Sequence, residues 1–247
     1  MRAGLRSHGV RLLLLVLLCA LALQLAFLLR IAAMRWIDPQ STTFQRSEIA
    51  RLLQERGRVA WAQEWVDLSR ISSALQQAVI ASEDAAFVDH RGIDWEAVES
   101  AWDRNQRAQA RAERQARRSQ RPANARVVGG STITQQLAKN LLLSGERTAL
   151  RKAQEAVLTL MLEVMLDKRR ILEIYLNSVE WGEGLFGAQA AARHYFRVDA
   201  ARLGVEPAAR LAVMLPAPKR FEKQPASAYV LGRSAVIVAR MPAVELP

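Results

Sequence analysis

From Leu12 to Leu29 every position is apolar except Gln24, with Arg2, Arg6 and Arg11 before the run and Arg30 and Arg35 after it. As a helix this run would span ~27 Å, close to the hydrocarbon thickness of a bilayer, with Ile31 to Met34 extending it and Arg30 snorkelling to the interface. The pattern predicts a single transmembrane anchor over 12–34. A cleaved signal peptide is the competing reading, but its apolar region is usually ~7–15 residues long. The candidate cleavage site Ala20-Leu21-Ala22 falls in the middle of the run. Positive charge on the short N-terminal side places residues 1–11 in the cytoplasm and the remainder outside, an inference that Arg30 and Arg35 weaken.

Beyond the anchor, apolar residues recur at helical spacings. Residues 35–67 read as a juxtamembrane segment. In it a loop at Ser41-Thr42-Thr43 precedes a short helix from Ser47 to Arg56, and Trp61, Trp65 and Leu68 alternate with polar residues. Residues 151–177 hold no glycine or proline, and Val157, Leu158, Met161, Leu162, Met165 and Leu166 return every three or four positions. That segment predicts one or two core helices. Ala208 to Leu215 reads as a helix stopped by Pro216, Ala217-Pro218-Lys219 as a turn, and Ser227 to Met241 as a final amphipathic helix. No stretch alternates as a sheet requires, so the predicted fold class is all-α, with one extramembrane domain over 68–247.

Composition then narrows the setting. With 247 residues and 51% apolar content the chain can bury one substantial core. Its one cysteine, Cys19, lies inside the apolar run, which leaves no disulfide framework. The net charge of +11 predicts attraction to anionic surfaces. Much of it comes from Glu96 to Arg126, where Arg104, Arg107, Arg111, Arg114, Arg117, Arg118 and Arg121 recur with no large apolar residue after Trp102. That composition predicts a solvated helix or a disordered loop. No aromatic residues interleave with these arginines, which argues against a single-stranded nucleic acid partner.

Candidate chemistry is concentrated in five segments. Gly129 to Asn140, G-G-S-T-I-T-Q-Q-L-A-K-N, opens a helix with glycines, hydroxyls and amides. Ser131 or Thr132 can cap that helix, its first-turn N–H groups favour an anion, and Lys139 adds a full positive charge. Upstream, Glu83-Asp84-Ala85-Ala86-Phe87-Val88-Asp89-His90-Arg91-Gly92 puts two adjacent carboxylates near one of three histidines. Downstream lie Arg151-Lys152-Ala153-Gln154-Glu155, then Lys168 to Asn177, then Trp181-Gly182-Glu183-Gly184-Leu185-Phe186-Gly187 followed by Ala190-Ala191-Ala192.

In this order, E-D-x-x-F-x-x-H-x-G, G-G-S-T-I-T-Q-Q-L-x-K-N, R-K-x-x-E and K-x-x-I-L-E-x-Y-L-N resemble the glycosyltransferase domain of bacterial peptidoglycan synthases, in particular the monofunctional biosynthetic peptidoglycan transglycosylases. The similarity runs from about Leu68 to Met241. It implies a lysozyme-like helical glycosyltransferase domain in the bacterial inner membrane, with its catalytic part periplasmic. The penicillin-binding relatives carry a transpeptidase domain after this module, and 247 residues are expected to hold the one module alone. The family has a mobile stretch between its first two motifs, and the arginine-rich segment is a longer version of it.

The resemblance also implies the reaction. Lipid II and the growing glycan chain would be the substrates, one sugar 4-hydroxyl attacking the anomeric carbon of the donor in cell wall biosynthesis. A hydroxyl needs a carboxylate base, and the leaving pyrophosphate needs cations rather than a proton. Carried over by position, Glu83 would be the general base, Lys139 and Arg151 would bind the pyrophosphate, and Glu155 would organise the cations or a bound metal. Asp84, Phe87 and His90 would shape the first motif and the substrate-binding surface, with Ser131, Thr132, Gln135 and Gln136 lining the donor pocket. His90 reads more readily as a satisfied structural histidine than as a proton-transfer group, and Glu173, Tyr175 and Asn177 read as structural.

No covalently bound cofactor is implied. A divalent Mg or Mn ion would use few protein ligands, Glu155 among them, together with the substrate phosphates. Membrane lipids and cell-division or wall-synthesis proteins are the other expected partners. Two rival readings are a lytic enzyme, which would want a second carboxylate and a water site, and a non-catalytic membrane scaffold.

Overall fold

The computed structural model describes residues 2–119, 129–146 and 148–247. Helix α1 (Arg2–Ala33) contains a span from His8 to Ala33 long and apolar enough to cross a membrane. It is not detached from the rest. Gln24, the one polar residue of the apolar run, exchanges reciprocal amide hydrogen bonds of 2.9 and 3.0 Å with Gln154. Ile31 and Met34 are buried in the main core.

Helix α2 (Thr43–Arg56) starts at a Thr42 cap whose side chain and Gln45 form a reciprocal capping box, and it ends at Gly57 in the left-handed conformation. The expected helix is therefore found, one turn longer at its start. Strand β1 (Ala62–Gln63) follows where Trp61 and Trp65 are spaced like one helix face. Trp61 instead stacks on Phe186 at 4.5 Å between ring centroids. Residues 35–67 thus pack into the body through α2 and β1.

Helices α3 (Ser73–Glu83), α9 (Val205–Met214) and α11 (Ala228–Arg240) pack against one another, and α5 (Ile133–Leu142) packs on α6 (Ala149–Met165), α7 (Lys168–Ser178) and α2. Leu166 ends α6 and Asp167 caps α7 through the Arg170 N–H, so the long helical segment divides into two. Between α3 and α5 runs α4 (Trp95–Ser119), the solvated-helix alternative for the arginine-rich segment. Its Trp95 and Trp102 are exposed, while Ala101 is buried. Arg121 and Arg126 lie outside the described residues.

A small sheet was not expected. Strands β2 (Glu180–Gly182) and β3 (Leu185–Phe186) form an antiparallel pair, and β1 joins β3 in parallel. Two- and three-residue strands offer no period to read, and β2 is buried at every position, so alternation is lost. Helix α8 (Ala188–Phe196) and the short α10 (Pro218–Phe221) complete the domain, α10 occupying the predicted turn because Pro218 suits a first helical position. The predominantly helical prediction holds.

One side chain closes the sheet region onto α7. Asn177, fully buried, accepts from the Val66 N–H at 3.0 Å and donates to the Val66 carbonyl at 2.9 Å and to the Glu173 carbonyl at 2.9 Å. Glu173 in turn accepts from the Leu68 N–H at 3.1 Å. Asn177→Ala should lower stability by about 2–4 kcal/mol, because it strands both Val66 groups; a lower guanidinium midpoint for the detergent-solubilised protein checks this.

Candidate active site

Helix α3 ends at Glu83, and the next residue, Asp84, turns inward. The Asp84 carboxylate is buried and takes two donors, His90 Nε2 at 2.8 Å and the Ile133 N–H at 3.0 Å. His90 Nδ1 accepts from the Gly92 N–H at 3.1 Å, so the proton sits on Nε2 and the ring points it at Asp84. The Gly92 carbonyl accepts from Thr132 Oγ1 at 2.6 Å, and Thr132 Oγ1 caps α5 by accepting from the Gln135 N–H at 3.1 Å. A closed circuit of hydrogen bonds therefore ties the first motif to the start of α5. Gly92 has φ +90, and a Cβ there would lie 2.7 Å from the Thr159 methyl, so the position requires glycine.

This circuit corrects one sequence expectation. The first-turn N–H groups of α5 were read as a place for an anionic ligand, but Ile133 and Gln135 spend theirs on Asp84 and Thr132. Thr132 is buried and acts as a helix cap. Asp84, Phe87 and His90 lie behind the cleft surface; Phe87 is fully buried, with Lys168 Nζ 4.5 Å from its ring centroid.

The cleft itself has a volume of about 610 Å³ and draws its walls from α2, α5, α6, β2 and the turn before α10. Of the residues singled out in sequence, it brings together Ser131, Gln135, Gln136, Lys139, Arg151 and Glu155. Glu83 meets it through Gln136, whose Nε2 donates to Glu83 Oε2 at 2.9 Å. The fully buried Tyr175 hydroxyl donates to Gln136 Oε1 at 3.0 Å. Because an ionised carboxylate only accepts, this pairing fixes the amide with its N–H toward Glu83. Burial raises the Glu83 pKa, opposed by the hydrogen bonds from Gln136 and Ser82, and the neighbouring Asp84 charge raises it further. Burial also pushes the Tyr175 hydroxyl well above its ordinary range, which keeps it a donor.

Cations gather on the α5–α6 side. Arg151 pairs with the buried Glu155 at 2.8 Å, and Lys152 pairs with its other oxygen. Arg151 Nε is buried with no hydrogen-bond partner among the described residues. Lys139 projects into the cleft; desolvation at the wall lowers its pKa, Glu155 opposes that shift, and Arg151 and Lys152 add to it. Glu155 thus holds two cations in place. With both of its oxygens engaged, and no group of three or more His, Cys, Asp or Glu converging among the described residues, the donor set does not fit a protein-built metal cage.

Sequence reasoning missed three contributors. Tyr175 was read as structural, although a buried tyrosine hydroxyl needs a partner, which is the available clue to its link with Gln136. Lys152 was quoted in its motif without a role. Glu180 was not singled out at all, yet it lines the same cleft and is buried.

Residues 49–242 match the sequence model of the transglycosylase family, and the chain belongs to that family. A protein of Bordetella pertussis named biosynthetic peptidoglycan transglycosylase is 50% identical over 210 residues, covering 85% of this chain and 82% of that protein. Proteins of the same name are 46% identical over 228 residues in Paraburkholderia xenovorans, covering 92% of this chain and 88% of theirs, and 45% identical over 243 residues in Bordetella avium, covering 98% and 95%. The match begins within α2 and so takes in part of the segment expected to be juxtamembrane.

Asp84→Asn should lower stability by about 1–3 kcal/mol, since the amide nitrogen would face a donor and leave it unpaired. Guanidinium unfolding checks the loss, and hydrogen exchange at Ile133 should accelerate with it.

Proposed function

We propose that this chain polymerises peptidoglycan glycan strands from lipid II, forming β-1,4 linkages and releasing undecaprenyl pyrophosphate. The observation that carries the reading is the joining of Glu83, through Gln136, to a cleft that also holds Lys139 and Arg151. These are the base and the cations that the chemistry demands, in a member of the transglycosylase family whose named relatives are biosynthetic peptidoglycan transglycosylases.

In this reading the 4-hydroxyl oxygen of one sugar attacks the anomeric carbon of the donor while Glu83 takes the hydroxyl proton. The bond from the anomeric carbon to the pyrophosphate oxygen breaks, and its electron pair leaves with the pyrophosphate. Lys139 and the Arg151 guanidinium stabilise that charge, with Glu155 orienting Arg151 and Lys152. A base with a raised pKa suits the role, because it accepts a proton more readily than an ordinary surface carboxylate. Ser131, Gln135 and Gln136 would contact the donor, while Asp84, Phe87, His90 and Thr132 would hold the walls in place.

Helix α1 anchors the enzyme in the bacterial inner membrane with its N-terminus cytoplasmic, where a lipid-linked donor resides. Wall-synthesis or cell-division proteins are its proposed neighbours there.

Polymerisation of fluorescent lipid II in detergent, read as glycan ladders on a gel, tests the proposal. Wild-type protein should make ladders, and Glu83→Gln should reduce the rate by about 10²-fold or more. Shortening of preformed glycan would establish a lytic enzyme instead. A second expectation concerns pH. The Gln136 N–H lowers the Glu83 pKa, so Gln136→Leu should raise it and move the acid limb of the pH–rate profile to higher pH.

A further inference from the structure

Opposite in chemistry to the cationic side of the cleft is Glu180, on β2. Its residue is 6% exposed, and it lines the cleft beside Phe44, Ser47, Leu215 and Pro218. Its Oε1 is buried and forms a long ion pair with Lys219 Nζ at 3.5 Å, with no hydrogen bond among the described residues, because that ammonium is drawn closer to Glu48 Oε2, at 2.5 Å. Glu48 in turn is held by Arg51 at 2.9 Å, and Arg51 also pairs with Glu183 at 2.9 Å. Glu180 thus joins this ion-pair network only through its long contact to Lys219.

A buried carboxylate with an unfilled acceptor position is costly unless something donates to it. The cations Lys139, Arg151 and Lys152 and the carboxylates Glu146 and Glu155 line other parts of the same cleft. None of them forms an ion pair with Glu180 among the described residues. A neutral hydroxyl or amide N–H, set against the apolar surface of Phe44 and Leu215, would supply the close donor that Lys219 does not.

We propose that Glu180 recognises the sugar portion of the substrate, accepting a hydrogen bond from a ring hydroxyl or acetamido N–H, as a specificity residue distinct from the base and the pyrophosphate cations. This rests on the glycan-polymerase reading. It assigns the two sides of the cleft different work: charge neutralisation near α6, and sugar recognition near β2.

Burial raises the Glu180 pKa to about 7, against the lowering effect of Lys219, and Glu48 and Glu222 raise it further. Ionised Glu180 is the stronger acceptor, so substrate binding should tighten as pH rises through 7. Because Glu83 governs the chemical step, the two carboxylates should appear in different kinetic constants.

The experiment measures kcat and KM for lipid II polymerisation between pH 6 and pH 8 with the full-length protein in detergent. In the wild type KM should fall across that range. Glu180→Ala should raise KM about 10-fold or more, the fold-change of one hydrogen bond to a charged group, with kcat within about threefold. The isosteric Glu180→Gln should raise KM less and flatten its pH dependence. Unchanged KM in both variants overturns the proposal, as does a fall in kcat as steep as that of Glu83→Gln, which would make Glu180 a base. Loss of folding in both variants overturns it too, in favour of a purely structural role. If the wild type makes no polymer at all, the glycan-polymerase reading itself fails, a result distinct from these.

Discussion

The arrangement of this cleft depends on the buried carboxylate of Asp84. It receives His90 on one side and the Ile133 N–H on the other, and Gly92 and Thr132 complete the circuit back to α5. Two elements far apart in sequence, the end of α3 and the start of α5, are thereby fixed end to end. Glu83 directly precedes Asp84, and Gln136 lies three residues beyond Ile133 along α5, so the two come within hydrogen-bond reach. A buried charge is tolerable only when fully paired, which explains why this carboxylate is surrounded by donors and kept from the cleft. The histidine beside it is thus a support whose tautomer is set by a backbone N–H.

On the other wall, charge balance takes a different form. Glu155 compensates Arg151 and Lys152 within α6, so cations can be held beside one another in a partly buried place without repelling the helix apart. Compensation by a single carboxylate leaves the wall with net positive character, and Lys139 reinforces it from α5. The resulting site attracts an anionic group without relying on the α5 N-terminus, where the Ile133 and Gln135 N–H groups are already spent on Asp84 and Thr132. On the remaining wall the buried Glu180 offers an acceptor whose charge Lys219 offsets.

Helix α1 is part of the same structure. Gln24 would be expensive within hydrocarbon if its amide were unpaired, and its reciprocal bonds to Gln154 satisfy both groups while attaching α1 to α6 between Arg151 and Glu155. Below it, Arg170 of α7 donates to the Met34 carbonyl at 2.7 Å, pairs with Asp38 at 2.7 Å, and lies 5.6 Å from the Trp65 ring centroid. The chain leaving α1 is therefore seated on the helical body, and the cationic wall sits on α6, the helix that touches α1.

How much of this was legible in the sequence follows from the range of each interaction. Helix periodicity, the start of the last helix at Ser227 and the apolar run of α1 are local properties, and the sequence determined them, while it left the α5 cap open between Ser131 and Thr132. Motif order carried the resemblance that singled out the candidate base and cations. The short sheet escaped because strands of two or three residues carry no period. The capture of the α5 N–H groups by Asp84, the amide bridge from Tyr175 through Gln136 to Glu83, and the presence of Glu180 in the cleft were decided by tertiary structure alone. Each is a contact between residues distant in the chain, and its energy depends on burial and on which partner arrives, neither of which is written in local spacing.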